Sequence, residues 1–544
     1  MTRLYPTIPA ALTALLAAVV SGANEQKTLS PSLDSKNPFT DDFGEWAAGV
    51  LDHWKVPGLA IAVIDGKDVF AEGYGIATFP DTPATPETLW YGASTTKAFV
   101  DAALAQLINN GTFAELSKGW STPISSIIRD DFVLQDEWAT NHITLDDAAS
   151  HRTGMTRHDK STHRIINGRQ ARLRDAVRQL RHLPMLLEPR TQWSYCNLMY
   201  ITLGHVVETL TAKPLGDTLK ELIWDPLGMH ATYFDLKDAQ NAPEHLARGY
   251  YWDEDDNSYK EVRFMDVTET SAAGGVLSNV LDYAKWVKCL LYETAPFPQE
   301  VHQDIQAPRV LAATHPSNAY DIPTYGLGWI RSTFRGHVVY EHDGGMHAYG
   351  AKVLWLPGAK YGVVSFANTA VTSNAVAEIL AWRLMQDKFD IAQDERWDPT
   401  PRWEKMLNEA TTNLEEAIKE LYPDVADPPL PPITKFSQMT GTYRHAGYGT
   451  LTLQEAPHPG KINATILLAN REDMTWPYVL KFYHVSAESW VLQLVTTDAP
   501  IPLGTEYGRA WFQIGADGRA ASVEYEVGNA REGREGTIKY LREA

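Results

Sequence analysis

The stretch Pro423 to Pro432, PDVADPPLPP, divides the 544-residue chain more sharply than any other feature. Proline fixes φ and removes an amide donor, so a run this rich in it joins neither a helix interior nor a central strand and serves as a stiff spacer. Before it, from residue 40 to 390, strand-like and helical patterns alternate; after Lys435 every readable run has the two-residue period of a strand. The chain therefore reads as a leader at 1–23, a mixed domain at 24–400, a helix and proline-rich linker at 401–434, and an all-β domain at 435–544.

In the mixed domain, Gly58 to Ile64 (GLAIAVI) is a short apolar strand, and Asp65-Gly66-Lys67 turns it into a hairpin with Asp68 to Ala77. Thr95 to Asn109 carries apolar residues at helical spacing and stops at Asn110-Gly111. Val338 to Glu341, Ala351 to Leu356 and Gly362 to Phe366 are strand-like again. Strands at both ends with helices between them predict an α+β domain whose sheet is built from its two termini. Arg402 to Leu421 reads as one charged amphipathic helix. Beyond the prolines, eight short runs (436–444, 449–454, 463–469, 478–485, 489–496, 506–514, 520–527 and 535–541) predict a small closed barrel, with Asp517-Gly518 as a hairpin turn.

Charge excludes some functions. Lys and Arg number 48 against 68 Asp and Glu, a net charge of −20, and such a surface repels nucleic acid and anionic lipid. The two cysteines, Cys196 and Cys289, exclude a disulfide scaffold and a Cys-rich metal module, leaving one bridge between them open. Seventeen histidines include no H-E-x-x-H helix and no close Cys/His cluster, so neither a metal nor another cofactor is expected. Arg3, the small-apolar run Ala10 to Val20 and Ser21-Gly22-Ala23 have the order of a cleavable secretory leader, too short to span a bilayer, and the protein is expected outside the cell. Asn110-Gly111-Thr112 and Asn463-Ala464-Thr465 are acceptor triplets consistent with that route.

Three short segments carry chemistry. In Ser94-Thr95-Thr96-Lys97 at a helix start, the spacing puts Lys97 one turn from Ser94 on the same face, and a lysine desolvated enough to lose its charge activates a serine. In WSYCNLMY, Tyr195 and Asn197 share a side of an extended segment; the phenol serves proton transfer and the amide holds a carbonyl or the lysine. His342-Asp343-Gly344-Gly345 follows a strand, where glycines let a substrate approach the backbone, Gly345 N–H is a candidate oxyanion donor, and His342 orients the base or stabilises charge. Each segment alone has an ordinary structural explanation.

In this order, and with the flanks VPGLAIAVIDGKDVFAEGYG, TPETLWYGASTTKAF, ITLDDAASHRTGM and SAAGGVLSNVLDYAKWV, the chain resembles the serine β-lactamase and penicillin-binding-protein superfamily, in its class C β-lactamase-like branch of esterases, D-aminopeptidases and acyltransferases. The resemblance covers residues 40 to 390. It implies an antiparallel sheet flanked by helices with a helical cluster, and chemistry without a metal. By it Ser94 is the acylated nucleophile, Lys97 and Tyr195 share the base and acid work, and the N–H groups of Ser94 and Gly345 form the oxyanion hole. Asn197 then contacts the acyl side chain. Asp343 and Gly344 fall at the substrate by position. Trp329, with Trp90 and Trp193, either lines an acyl pocket or packs the core. The family's usual Lys-Thr/Ser-Gly is His342-Asp343-Gly344 here, a poor receptor for a substrate carboxylate, so weak or absent β-lactam cleavage is expected. The all-β domain resembles the lipocalin-like barrels appended to some relatives. The leading expectation is a secreted serine hydrolase of a small ester or amide. An acyltransferase using the same residues and a catalytically idle binding protein are the alternatives.

Overall fold

The computed structural model describes residue 31 and residues 35–409, 413–501, 505–527 and 536–543; the expected leader at 1–23 lies outside them. Nine antiparallel strands form the central sheet: β1 (Gly58–Asp65), β2 (Asp68–Thr78), β3 (Thr82–Pro83), β4 (Val310–Leu311), β5 (Thr324–Tyr325), β6 (Ile330–Phe334), β7 (His337–Met346), β8 (Tyr349–Leu356) and β9 (Tyr361–Ala367). Their spatial order is β4-β5-β6-β7-β8-β9-β1-β2-β3. The sheet is thus closed across its middle by β1 and β9, from opposite ends of the domain, in the register Leu59↔Ala367 to Asp65↔Tyr361. Asn368, next after β9, fixes the join: its Oδ1 accepts from Gly58 N–H at 2.8 Å, and its Nδ2 donates to the Ile76 and Arg248 carbonyls.

Every residue of β1 is buried because both faces of the sheet are covered. Alternate side chains enter two different cores. Leu59, Ile61 and Val63 pack with Phe43 and Leu51 of α1 (Asp41–His53) and with Val376 and Leu380 of α5 (Thr372–Lys388). Ala60, Ala62 and Ile64 face α2 (Thr96–Asn109), α3 (Asn197–Thr211) and α4 (Val280–Tyr292), which contribute Phe99, Ile201 and Val287. This second core runs on into the barrel.

The C-terminal strands, from Gly441–His445 to Gly536–Arg542, close into an eight-stranded antiparallel barrel. Its interior is filled by Leu451, Phe482, Trp490 and Tyr540, with Arg471 buried among Tyr478, Tyr540 and Met474. Two sequence expectations are corrected. The first barrel run does not begin as a strand at 436: Phe436–Met439 is a helical turn, and the strand starts at Gly441. The segment 402–421 is not one helix. Thr400–Glu409 and Leu414–Leu421 are separate, because Asn413 caps the second with its side chain on Glu416 N–H and the Glu416 carboxylate on Asn413 N–H.

The barrel docks on the mixed domain through backbone as well as side chains. Thr475 N–H donates to the Thr162 carbonyl at 2.9 Å and Arg164 N–H to that of Asp473 at 2.9 Å. Arg263 pairs with Asp498 at 2.8 Å, the His347 and Trp476 rings lie 4.9 Å apart, and the Thr475 hydroxyl meets the buried carboxylate of Glu269. Cys196 and Cys289 are both buried and outside any disulfide, so the bridge left open by the sequence is not made.

Candidate active site

The Ser94 turn comes first. Ala93 holds φ at +47°, a conformation costly for any residue with a Cβ, and Ser94 follows it in the short turn Ala93–Thr95 that runs into α2. Ser94 therefore sits at the positive end of a 14-residue helix. Lys97, in the first turn of α2, is fully buried, and its Nζ donates to Ser94 Oγ at 3.0 Å and to the Ala273 carbonyl at 2.7 Å. Tyr195 Oη donates to the same Ser94 oxygen at 3.0 Å. Burial pulls the Lys97 ammonium down to about 7, partly opposed by the carboxylate of Asp159. Burial pushes the Tyr195 phenol above its ordinary range, so it remains protonated. The pair is therefore divided at neutral pH: an amine able to take the serine proton, and a phenol able to give one.

The sheet wall is β7. It reaches the Ser94 turn because Gly344 has no side chain; a Cβ there would lie 2.3 Å from the Gly92 carbonyl oxygen. β6 pairs with β7 only as far as Glu341, so beyond it β7 runs on paired with β8 alone, and Gly345, opposite Gly350, lies in that stretch. His342 faces inward and is buried, but both ring nitrogens are engaged. Nδ1–H donates to the Asp343 carbonyl at 2.7 Å, which leaves Nε2 to accept from Tyr325 Oη at 3.0 Å. Burial holds its pKa down to about 4, so His342 is a neutral wall residue, without a free nitrogen for substrate or base.

Asp343 points the other way along the pleat. Its carboxylate and that of Glu341 each lie 2.8 Å from Lys352 Nζ, so the expected contact of Asp343 with substrate is replaced by a structural ion triad. Trp329 is corrected too: it is 2% exposed and packs edge-on against Trp355, in the core. Trp90 is likewise core, whereas Trp193 is half-buried with its ring 6.1 Å from that of Tyr195.

Opposite the sheet, α3 begins at Asn197. Cys196 turns inward to the Thr156 carbonyl, leaving Tyr195 and Asn197 on the cleft side. Asn197 Nδ2 is taken by the two oxygens of Asp159, at 3.0 and 3.1 Å, and Arg157 Nε donates to the same carboxylate at 2.9 Å. A carboxylate only accepts, so it fixes which end of the amide faces it. The Asn197 donor expected on the acyl side chain is thus engaged within the protein.

Among the described residues no three His, Cys, Asp or Glu side chains are grouped to hold a metal. A cavity of about 560 Å³, lined by Trp46, Trp54, Trp382 and Trp397, lies among α1, α5 and the chain after α5; neither Ser94 nor Lys97 borders it.

A family model described as Beta-lactamase matches residues 45–385. The chain belongs to the beta-lactamase family. It is 37% identical, over 503 residues and 91% of each chain, to unguisins hydrolase ungD' of Aspergillus campestris (strain IBT 28561). An octameric penicillin-binding protein homologue from Pyrococcus abyssi aligns with TM-score 0.57 and 18% identity, over 89% of this chain and 98% of its own. D-amino acid amidase from Ochrobactrum anthropi SV3 aligns with TM-score 0.53 and 20% identity, over 65% and 100%. At such identities these structures attest the fold.

This beta-lactamase family member is an enzyme of serine hydrolase type. Sequence reasoning missed the floor of its site. Asp101 and Tyr200 lie buried beneath Lys97, Tyr325 holds His342, and the His151 ring lies 4.3 Å from that of Tyr195. Asp101 had a readable signal, a carboxylate four residues after Lys97 on an otherwise apolar helix. Tyr325 and Asp159 had none.

Proposed function

We propose that this protein hydrolyses the amide or ester bond of a small molecule through an acyl-Ser94 intermediate. The observation that carries the reading is the placement of Lys97 Nζ and Tyr195 Oη, each 3.0 Å from Ser94 Oγ. Ser94 Oγ attacks the carbonyl carbon as its proton passes to Lys97. The oxyanion develops toward the N–H groups of Ser94 and Gly345. As the tetrahedral adduct collapses, Tyr195 gives its proton to the departing nitrogen or oxygen and is restored by the Lys97 ammonium. Water then attacks the acyl group, its proton returning through the same pair, and Ser94 is released.

A phenol poised at the nucleophile suits an amide better than an ester, because an amine must be protonated before it leaves and an activated alcohol need not be. The similarity to unguisins hydrolase makes unguisins the first substrates to try. No lysine stands at the His342 position to meet a substrate carboxylate, which supports weak β-lactam turnover. The test is release of p-nitrophenol from a short-chain p-nitrophenyl ester. A burst equal to the enzyme concentration, absent from Ser94→Ala of unchanged melting temperature, is the expected result. Retained turnover in Ser94→Ala overturns the assignment.

A further inference from the structure

Beneath Lys97 lies a group that the acyl transfer does not use. Asp101 follows Lys97 by one turn of α2 and is fully buried. The Tyr200 hydroxyl oxygen, from α3, lies 2.6 Å from Asp101 Oδ2 and 2.8 Å from the Ala149 carbonyl oxygen. A phenol has one proton to give, and a carbonyl oxygen can only accept. If Tyr200 donates to Ala149, the short contact with Asp101 needs a proton from the carboxyl. The other oxygen, Oδ1, is buried with no hydrogen-bond partner, which is tolerable for the carbonyl of an acid and costly for a carboxylate.

The charges around Asp101 pull in both directions, and burial outweighs them. The Lys97 ammonium hydrogens go to Ser94 and Ala273, and among the described residues Asp101 has no ion pair. Arg309, from the segment after the helix Gln299–Gln306, and Lys97 both favour the anion, but the Arg309 Nε lies 2.7 Å from Asp146 Oδ1 and pairs directly with that carboxylate. Asp146 itself opposes ionisation of Asp101, and Tyr325 adds no positive charge. Burial is the largest influence on Asp101 and raises its pKa well above the carboxylate range.

We propose that Asp101 is a positioning residue held as a neutral carboxylic acid, donating to Tyr200, and that the missing anion is what lets Lys97 serve as an uncharged base. Tyr200 transmits the arrangement, since its ring lies 5.3 Å from Lys97 Nζ. An ionised Asp101 one turn below the amine would stabilise the ammonium and carry the serine's base out of the neutral range. The inference rests on the reading of Lys97 as the base of acylation.

Two measurements test it. The pH dependence of kcat/KM for the p-nitrophenyl ester is compared in wild type and Asp101→Asn, whose amide also donates to Tyr200. The midpoint of the acid limb is expected to stay within about 0.3 pH unit, whatever the plateau height, because one uncharged group replaces another. A midpoint lowered by a unit or more would show that the native side chain is an anion, and overturns the proposal. Should the variant fail to fold, wild-type protein labelled with carbon-13 in its aspartate carboxyls decides by NMR. One buried carboxyl keeping its protonated shift to pH 8 supports the proposal, and titration of every aspartate below pH 6 overturns it. The NMR result stands even if wild type shows no acyl burst, so failure of the hydrolase reading and failure of this one are distinguishable.

Discussion

At the scale of single residues, the proposed mechanism divides proton work between two side chains that burial pushes in opposite senses. Lys97 is drawn down to about 7, and only its uncharged form accepts the serine proton. kcat/KM should therefore rise with pH through about 7 and level off, and with Tyr195 held protonated no falling limb should appear below about pH 10. Lys97→Arg, whose guanidinium keeps its proton, should lose about 10³-fold in kcat and, being larger and permanently charged at a fully buried position, should also melt lower; a pH–rate series and thermal melts on both proteins check this. Ser94, Lys97 and Tyr195 were legible because each belongs to a short motif in fixed order. Their supporting residues were not. Tyr325 reaches His342 from 17 positions away, and Tyr200 reaches Asp101 from 99, distances at which no local pattern survives. The same blindness assigned Asp343 to substrate: its partner, Lys352, comes from the next strand.

Among elements, the decisive contact is that of β7 with the Ser94 turn. A methyl group at Gly344 would meet the Gly92 carbonyl at 2.3 Å, backbone against backbone, so the strand has to retreat. Gly344→Ala should move Gly345 away from Ser94 and lower kcat by about 10²–10³-fold, the effect of losing one oxyanion donor. Overpacking should also cost about 1–3 kcal/mol of stability. Burst kinetics and thermal melts on one preparation separate the two effects, and a variant with wild-type kcat would show that β7 does not set the oxyanion geometry. Element boundaries were legible where period and punctuation coincide, as in the β1–β2 hairpin around Gly66 and the later barrel strands. They failed where capping decides. The charge pattern of 402–421 continues across Asn413, yet its side chain begins a new helix. Trp329 illustrates a third case, for an aromatic beside a catalytic motif reads alike whether it lines the cleft or fills the core.

The whole molecule is held together by an interface that carries its own titration. Glu269, buried with one oxygen on Thr475 of the barrel and the other without a partner, has its pKa raised by burial to about 7. A carboxyl with a folded pKa above its unfolded value near 4.5 stabilises the protein fully below about pH 4.5, and that contribution is lost as pH rises through about 7. Wild type should therefore melt lower at pH 8 than at pH 5 by more than Glu269→Gln does, the gap amounting to about 2.5 kcal/mol. Equal pH slopes in calorimetry would remove Glu269 from the interface's energetics. The linker prolines announced a second domain, but nothing in the sequence pairs Thr162 with Thr475. The join between β1 and β9 has a cost in time. Gly58 and its partner Asn368 are 310 positions apart, so at about 5–20 residues per second the ribosome delivers the second on the order of tens of seconds after the first. Throughout that interval the emerging hairpin offers an apolar, unpaired edge to every neighbouring nascent chain. The yield of folded enzyme should consequently depend on translation speed and on holding chaperones more than on final stability.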